Sequence, residues 1–296
     1  MAVSTCPACQ SADIRDYPAS RRTGRVNFRC HECGLVGWKL RDELVVPETA
    51  STDEISIDSQ EEWYANKRAD VIEKALHEVI DEVATMVGGA EGRSLYDIGA
   101  GDGHFLAAAR EHGFAVRGNE VMEAAVKIAA TTNDVDLDLG DISVLDLPQQ
   151  DVVTLWCVIA HVDQPQRLIE NTFDLLKPGG VLYLQTPHLC TADRVAMAGL
   201  RATGGRMSRW TDRRVAQHHW MLHTPESIGR SLTRAGFVDV KVKPRARFSL
   251  AAEPYLLSLG VKPGTARRGG RMIDTLLDRE IAPRITLDVY ARRPRD

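Results

Sequence analysis

The sequence predicts an α/β fold with a mostly parallel sheet, preceded by a small cysteine-rich unit, and three observations carry that prediction. From residue 94 onward, apolar runs of strand length alternate with helical patterns, the order that gives parallel strands joined by crossover helices. The first run breaks into spaced glycines, Leu95-Tyr96-Asp97-Ile98-Gly99-Ala100-Gly101-Asp102-Gly103. Four of the six cysteines fall in two pairs within the first 33 residues.

Composition narrows the function. At 296 residues the chain has room for one large domain and an appendage. The net charge of -4 gives no general pull toward nucleic acid or an anionic membrane. No apolar leader precedes a small-residue cleavage site, and no run approaches the roughly 20 apolar residues of a membrane span. A cytoplasmic protein without a membrane partner, monomer or homodimer, is therefore expected. In a reducing compartment paired cysteines indicate a metal rather than disulfides.

The elements follow in chain order. Cys6-Pro7-Ala8-Cys9 and Cys30-His31-Glu32-Cys33 are two CxxC turns, and each turn aims two sulfurs at one point. Cys6, Cys9, Cys30 and Cys33 together meet zinc's tetrahedral preference with no position left for substrate, so the site is expected to be structural. The alternative is two unrelated reduced pairs, but so short a segment hardly folds without a staple. Alternation around residues 26–30 suggests a hairpin strand entering the second turn, and the segment resembles a zinc ribbon. Its arginines, Arg15, Arg21, Arg22, Arg25 and Arg29, suit either phosphate contacts or a solvated hairpin face.

Residues 44–61 turn polar and acidic and read as a linker between a ribbon at 1–43 and the main domain at 62–296. Apolar residues near 3.6 spacing across 61–87 then predict a long amphipathic helix stopped by Gly88-Gly89. After the glycine loop come a helix from Phe105 to His112-Gly113, a strand over 115–121 ending near Glu120, and a helix over 122–130. A third strand is expected over 135–139. The run 151–157 reads as a central strand buried on both faces. A helix from Pro165 to Leu176, a turn at 177–180, a strand over 181–186 and a last strand over 285–292 complete the pattern.

The glycine loop is built to cradle a ligand, because glycines at 99, 101 and 103 leave the backbone bare and the next helix offers free N–H groups. A dinucleotide fingerprint needs GxGxxG, and His104 stands where its third glycine belongs. DxGxGxG with the acid at Asp97 instead resembles motif I of class I S-adenosylmethionine-dependent methyltransferases. Glu120, about twenty residues past the first glycine, is placed to accept hydrogen bonds from both ribose hydroxyls. An exposed glutamate at a strand end is the plainer alternative. The order "VIAHV", "LLKPGGVLYLQTP" and "HTPESIGRSLTRAGF" is similar to the ubiquinone-biosynthesis type and relatives acting on small metabolites. Ala160 stands where that pattern has a glutamate.

The resemblance covers residues 62 to about 243 plus the final strand. It implies a Rossmann-like sheet of seven strands, mostly parallel with the last antiparallel, and S-adenosylmethionine as cofactor, in addition to the structural Zn2+ expected from the four cysteines. It also implies cofactor contacts at Asp97, Gly99, Gly101, Glu120, Val121 and Cys157, an adenine acceptor at Asp141 with Ile142 packing on the ring, and approach to the methionine end by Tyr64 and Arg68. Tyr64 and Arg68 equally suit ordinary core and surface roles.

Insertions at 188–223 and 248–284 read as helical lids over the carboxyl ends of the strands. A helix is expected over 206–216 in the first and over 271–280 in the second. Arg245, Arg247, Arg267, Arg268, Arg271 and Arg284 make the second end basic, as a solvated surface or a grip on an acidic acceptor. Methyl transfer from a sulfonium is an in-line displacement that depends on positioning and on excluding water. A hydroxyl or amine acceptor must still lose a proton, and His219, His161 and His188 are the candidate bases. Fixing a loop through the backbone is the alternative role for each. His218, His219 and His223 lack an acidic partner and the transfer needs no metal, so that triad is read as incidental.

The leading function is methyl transfer to a hydroxyl, amine or carbon of a small molecule in specialised-metabolite, sugar or cofactor biosynthesis. Sugar-nucleotide methyltransferases join a zinc-binding N-terminus to a similar domain, and their long C-terminal extension has no counterpart here. An rRNA base methyltransferase that uses the ribbon on RNA is the second reading, although the chain has no aromatic-studded basic strand. A non-catalytic, cofactor-binding interaction protein is the third.

Overall fold

The computed structural model describes residues 3–39, 69–215, 219–246, 252–258, 260–278 and 283–295. Tyr64, Arg68, His218, the 44–61 linker and Arg247 lie outside them. The strands and helices run β1 (Ile14–Asp16), β2 (Asn27–Cys30), β3 (Val36–Trp38), α1 (Ala69–Val87), β4 (Ser94–Ile98), α2 (His104–Glu111), β5 (Ala115–Glu120), α3 (Glu123–Thr132), β6 (Asp138–Leu139), β7 (Gln150–Trp156), α4 (Pro165–Leu175), β8 (Leu176–Pro187), α5 (Thr191–Ala202), α6 (Arg209–Arg214), β9 (Met221–Leu222), α7 (Pro225–Arg234), β10 (Val238–Arg245), α8 (Ala252–Ser258), α9 (Pro263–Asp278) and β11 (Thr286–Arg292).

The large sheet has seven strands in the order β10-β11-β8-β7-β4-β5-β6. The strands from β8 to β6 are parallel, and β11 lies antiparallel between β8 and β10. Alternate residues of each strand feed opposite faces. Leu95, Val152, Tyr183 and Tyr290 pack with Leu76, Val79, Ile80 and Val83 of α1 and with Phe105 and Leu106 of α2. Tyr96, Ile98, Val153, Leu155, Leu182 and Val289 pack with Leu168 and Ile169 of α4 and with Ile228 and Leu232 of α7. Strand order reverses between β4 and β7, which opens a crevice at their carboxyl ends.

Several bounds differ from the sequence reading, each for a local reason. The third strand shrinks to Asp138–Leu139, because β6 is an edge strand paired only to Asn119 and Glu120. Residues 177–180 belong to β8 as a bulge between the Gln150–Leu176 and Val152–Val181 pairs. Asp151 pins that bulge by accepting from Lys177 Nζ at 2.7 Å and from the Ser94 N–H and hydroxyl. The helix expected over 206–216 is the short α6, and α5 precedes it. The start of α5 is fixed by Asp193, whose carboxylate accepts the Cys190 N–H at 3.0 Å. In the second insertion the expected helix begins eight residues earlier, at Pro263, and α8 is added before it.

The N-terminal segment forms a four-stranded antiparallel sheet in the order β1-β2-β3-β9. Its last strand comes from the first insertion, with Val36 facing Leu222 and Gly37 facing Met221. The Asp212 carboxylate, 4% exposed, accepts from Ser20 Oγ, Thr23 Oγ1 and Arg22 Nε at 2.9–3.2 Å. These bonds fasten the arginine-bearing loop of the ribbon to α6.

Candidate cofactor and acceptor site

The glycine loop leaves β4 at the crevice. Gly99, Gly101 and Gly103 all take positive φ, at 68°, 59° and 74°, a conformation that L side chains adopt only at a cost. A Cβ at Gly99 would stand 2.7 Å from Val158 Cγ2, so the loop and the turn after β7 are in close contact. Glu120, at the tip of the neighbouring strand, closes the loop from the other side. Its Oε2 accepts the Gly101 N–H at 3.0 Å, while its Oε1 accepts the N–H groups of Val121 and Met122. Val121 beside it is 53% exposed, as is Leu139, which faces Glu120 on β6. These two apolar side chains offer a wall for a planar ring. Asp141 caps the turn that carries buried Ile142 by accepting the Ser143 N–H at 2.8 Å.

Asp97 is buried at 2% exposure and accepts from Thr154 Oγ1 at 2.6 Å. Burial, with the charges of Glu120 and Asp102 nearby, pushes its carboxyl up to about 8 against the pull of the Thr154 hydroxyl. Two carboxylates, Glu120 and Asp102, thus stand beside the bare loop, with the protonated Asp97 buried beneath it. Their charges suit a cationic ligand better than a pyrophosphate.

Beyond β7 the chain turns sharply. Cys157 takes φ 66°, outside the usual range for a side-chain-bearing residue, and a 3-10 turn over Val158–Ala160 delivers His161. The first insertion returns to the same place, where the Trp220 N–H donates to the Ala160 carbonyl at 2.8 Å. His219 is brought there, with its ring 4.8 Å from that of His161 and its Nε2 3.7 Å from Cys157 Sγ. Burial pushes the Cys157 thiol up to about 12, opposed by the charge of Arg214. His188 is held differently: its Nδ1 lies 2.6 Å from the Arg284 carbonyl, and burial lowers its pKa. His223 is buried on Ser227 Oγ, with its pKa down at about 4 through burial. The HHxxxH spacing therefore does not make His223 part of the His219 group.

Thr154, Trp156 and Trp220 were not singled out by the sequence reading. Thr154 was detectable as the one hydroxyl within an apolar run. Trp156 packs at a tilt against Phe105, with ring centroids 5.1 Å apart, and its buried indole N–H has no acceptor among the described residues. Trp220 has no local signal at all.

At the N-terminus the four cysteine sulfurs lie within 4.8 Å of one another. Cys6 and Cys33 are 3.6 Å apart, Cys9 and Cys30 3.5 Å, close to the edge of about 3.8 Å that tetrahedral Zn–S bonds produce. The two turns share one hydrogen-bond pattern. The N–H of Cys6 reaches the Ser11 carbonyl as that of Cys30 reaches Leu35, and Gln10 N–H and Gly34 N–H return to Cys6 and Cys30. Gln10 and Gly34 both take positive φ. The residues fit a four-thiolate zinc centre.

Known proteins agree with this architecture. A family described as "Methyltransferase domain" matches residues 64–242. Ubiquinone biosynthesis O-methyltransferase of Coxiella burnetii is 31% identical over 103 residues, covering 32% of this chain and 44% of that protein. The protein of the same name from Alkalilimnicola ehrlichii is 31% identical over 125 residues, covering 38% and 51%. The chain thus spans about half the length of the curated relatives it matches. Among solved structures, phosphoethanolamine N-methyltransferase 2 of Haemonchus contortus, in complex with phosphomonomethylethanolamine and S-adenosylhomocysteine, aligns with a TM-score of 0.52 at 18% identity. It covers 74% of this chain and 53% of that one, a likeness of fold. No helix among the described residues is long and apolar enough to cross a membrane.

Proposed function

The chain belongs to the methyltransferase-domain family, the class I S-adenosylmethionine-dependent enzymes, and on that footing we propose that it methylates a small molecule in specialised-metabolite, sugar or cofactor biosynthesis. The observation that carries the reading is the acidic glycine cradle, where Glu120 holds the Gly101 N–H and Asp97 lies buried beneath. Asp97, Gly99, Gly101 and Glu120 would hold the cofactor, with Val121, Asp141 and Ile142 around its adenine and Cys157 beside the reacting end. Tyr64 and Arg68 would reach its methionine end. When bound, S-adenosylmethionine supplies an electrophilic methyl on a positively charged sulfur.

The chain's own residues then handle the acceptor. His161 and His219 face each other where the chain leaves β7, so an acceptor laid against them has its proton beside an imidazole. His188, its Nδ1 held on the Arg284 carbonyl, would fix the end of β8 against the last strand. Cys6, Cys9, Cys30 and Cys33 would hold zinc as a closed structural centre, in a ribbon of residues 1–43 joined by 44–61 to a catalytic domain of 62–296.

The test is S-adenosylhomocysteine formation from S-adenosylmethionine with fractions of a cell extract. Turnover supported by the low-molecular-weight fraction and lowered in His219→Gln is expected. Turnover supported only by the RNA fraction would overturn the small-molecule reading.

A further inference from the structure

We propose that Cys157, His161 and His219 form a second metal centre, for a divalent ion of the zinc class, at the acceptor side of the crevice. The ligand atoms of the three side chains lie within 4.8 Å of one another. The Cys157 Sγ to His219 Nε2 distance of 3.7 Å is close to the edge of about 3.6 Å that a tetrahedral zinc with one sulfur and one nitrogen ligand produces. One thiolate and two imidazoles are a donor set that suits zinc. Three protein ligands are also the number found where a fourth position stays open for water or substrate, in contrast to the four-cysteine centre.

The convergence is built from separate parts of the chain. The left-handed turn at Cys157 and the 3-10 turn after it set the thiol and His161 at the end of β7. His219 comes from the insertion 58 residues after His161 in sequence, tied down by the Trp220 N–H on the Ala160 carbonyl. The close approach of Val158 to Gly99 keeps this group beside the glycine loop.

The proposal rests on the methyl-transfer reading for its chemistry and refines the role of the two histidines. With an ion bound, their lone pairs are ligands, and the acceptor is an oxygen that takes the open position. Coordination lowers the pKa of that hydroxyl as it does for zinc-bound water. The O–H bond breaks and its proton leaves to solvent water. An oxygen lone pair then forms the O–C bond while the C–S bond breaks, its electron pair returning to sulfur, which leaves as a neutral thioether. No electron is gained or lost overall.

The experiment is zinc content of the full chain by elemental analysis, after incubation with zinc chloride and dialysis. About two equivalents per chain are expected for the wild type and about one for His161→Gln and for Cys157→Ser. The equivalent retained by the four-cysteine centre shows that the ribbon of each variant is intact, and His161 is exposed, so its replacement leaves the core of the large domain intact. One equivalent in zinc-saturated wild type, or two in His161→Gln, overturns the proposal. Metal content is read without turnover. Two equivalents with no S-adenosylhomocysteine formed would leave the centre standing and remove the methyl-transfer reading, whereas turnover at one equivalent would do the reverse.

Discussion

The N–H of Trp38, in the last strand of the N-terminal hairpin, donates to the carbonyl of Trp220 at 2.8 Å, and the Trp220 N–H donates in turn to Ala160 at 2.8 Å. The two backbone groups of one residue, Trp220, therefore link the cysteine-held sheet to the turn that carries His161. The Thr224 hydroxyl, which caps α7, also donates to the Cys33 carbonyl. The ribbon thus braces the turn after β7 and the start of α7.

Loss of the ribbon's metal should consequently reach catalysis. Cys30→Ser is expected to release zinc from the four-cysteine centre and to lower kcat, on the order of 10²-fold for a displacement of about 1 Å at His219. Cofactor affinity should change little, since Glu120 and the glycine loop sit on β5 and β4. Steady-state kinetics beside metal analysis checks this. Wild-type kcat in a zinc-free protein would confine the ribbon to stability.

Glu120→Ala removes the charged acceptor at the strand tip and frees the Gly101, Val121 and Met122 N–H groups. Titration calorimetry with S-adenosylhomocysteine should show a loss of about 1.5 to 3 kcal/mol, the worth of hydrogen bonds to a charged group. Glu120→Gln, which keeps one acceptor oxygen, should lose less. Unchanged binding in Glu120→Ala would take that carboxylate out of the cofactor site.

Gly99→Ala places a Cβ at φ 68° and 2.7 Å from Val158 Cγ2. The backbone conformation alone costs about 1–2 kcal/mol, and Val158 must move, shifting Cys157 and His161 with it. A lower melting temperature and a raised KM for the acceptor are the expected readouts. A variant as stable as wild type would mean that the loop relaxes freely.

Asp97 gives a pH dependence of definite sign. Its carboxyl is raised from 3.8 to about 8, so between these values the folded chain keeps a proton that the unfolded chain has lost. The stability it contributes is fully present below 3.8 and is lost as pH rises through about 8. Denaturant titrations of wild type and Asp97→Asn, subtracted at each pH from 4 to 9, should show the wild type losing stability relative to the variant across this window. A flat difference would show Asp97 to be ionised in the fold.

The parts of the site that were legible in the sequence are those that local chemistry specifies. Spaced glycines after an apolar run announce a bare turn, and two CxxC pairs announce a metal knuckle, because each signal needs only its own few residues. Met221–Leu222 is too short to show a period, so nothing local marks it as the fourth strand of the ribbon's sheet. The α5 helix begins after Cys190, with a cysteine where serine or threonine would signal a cap. Asp212 reads as a surface charge in a row of arginines, yet its partners Ser20, Thr23 and Arg22 lie 189–192 residues away. Likewise, His161 and His219 share a pattern with many solvent-facing histidines until the fold sets them 4.8 Å apart.

The placement of β11 has a bearing on how the chain assembles. Residues Thr286–Arg292 fill the gap between β8 and β10, so β10 has no partner in the sheet until that strand has been synthesised. The N-terminal sheet waits too, because Met221–Leu222 must emerge before β3 gains its second neighbour beside β2. During synthesis both sheets are held open by contacts not yet made, and unpaired strand edges of this kind are where nascent chains aggregate.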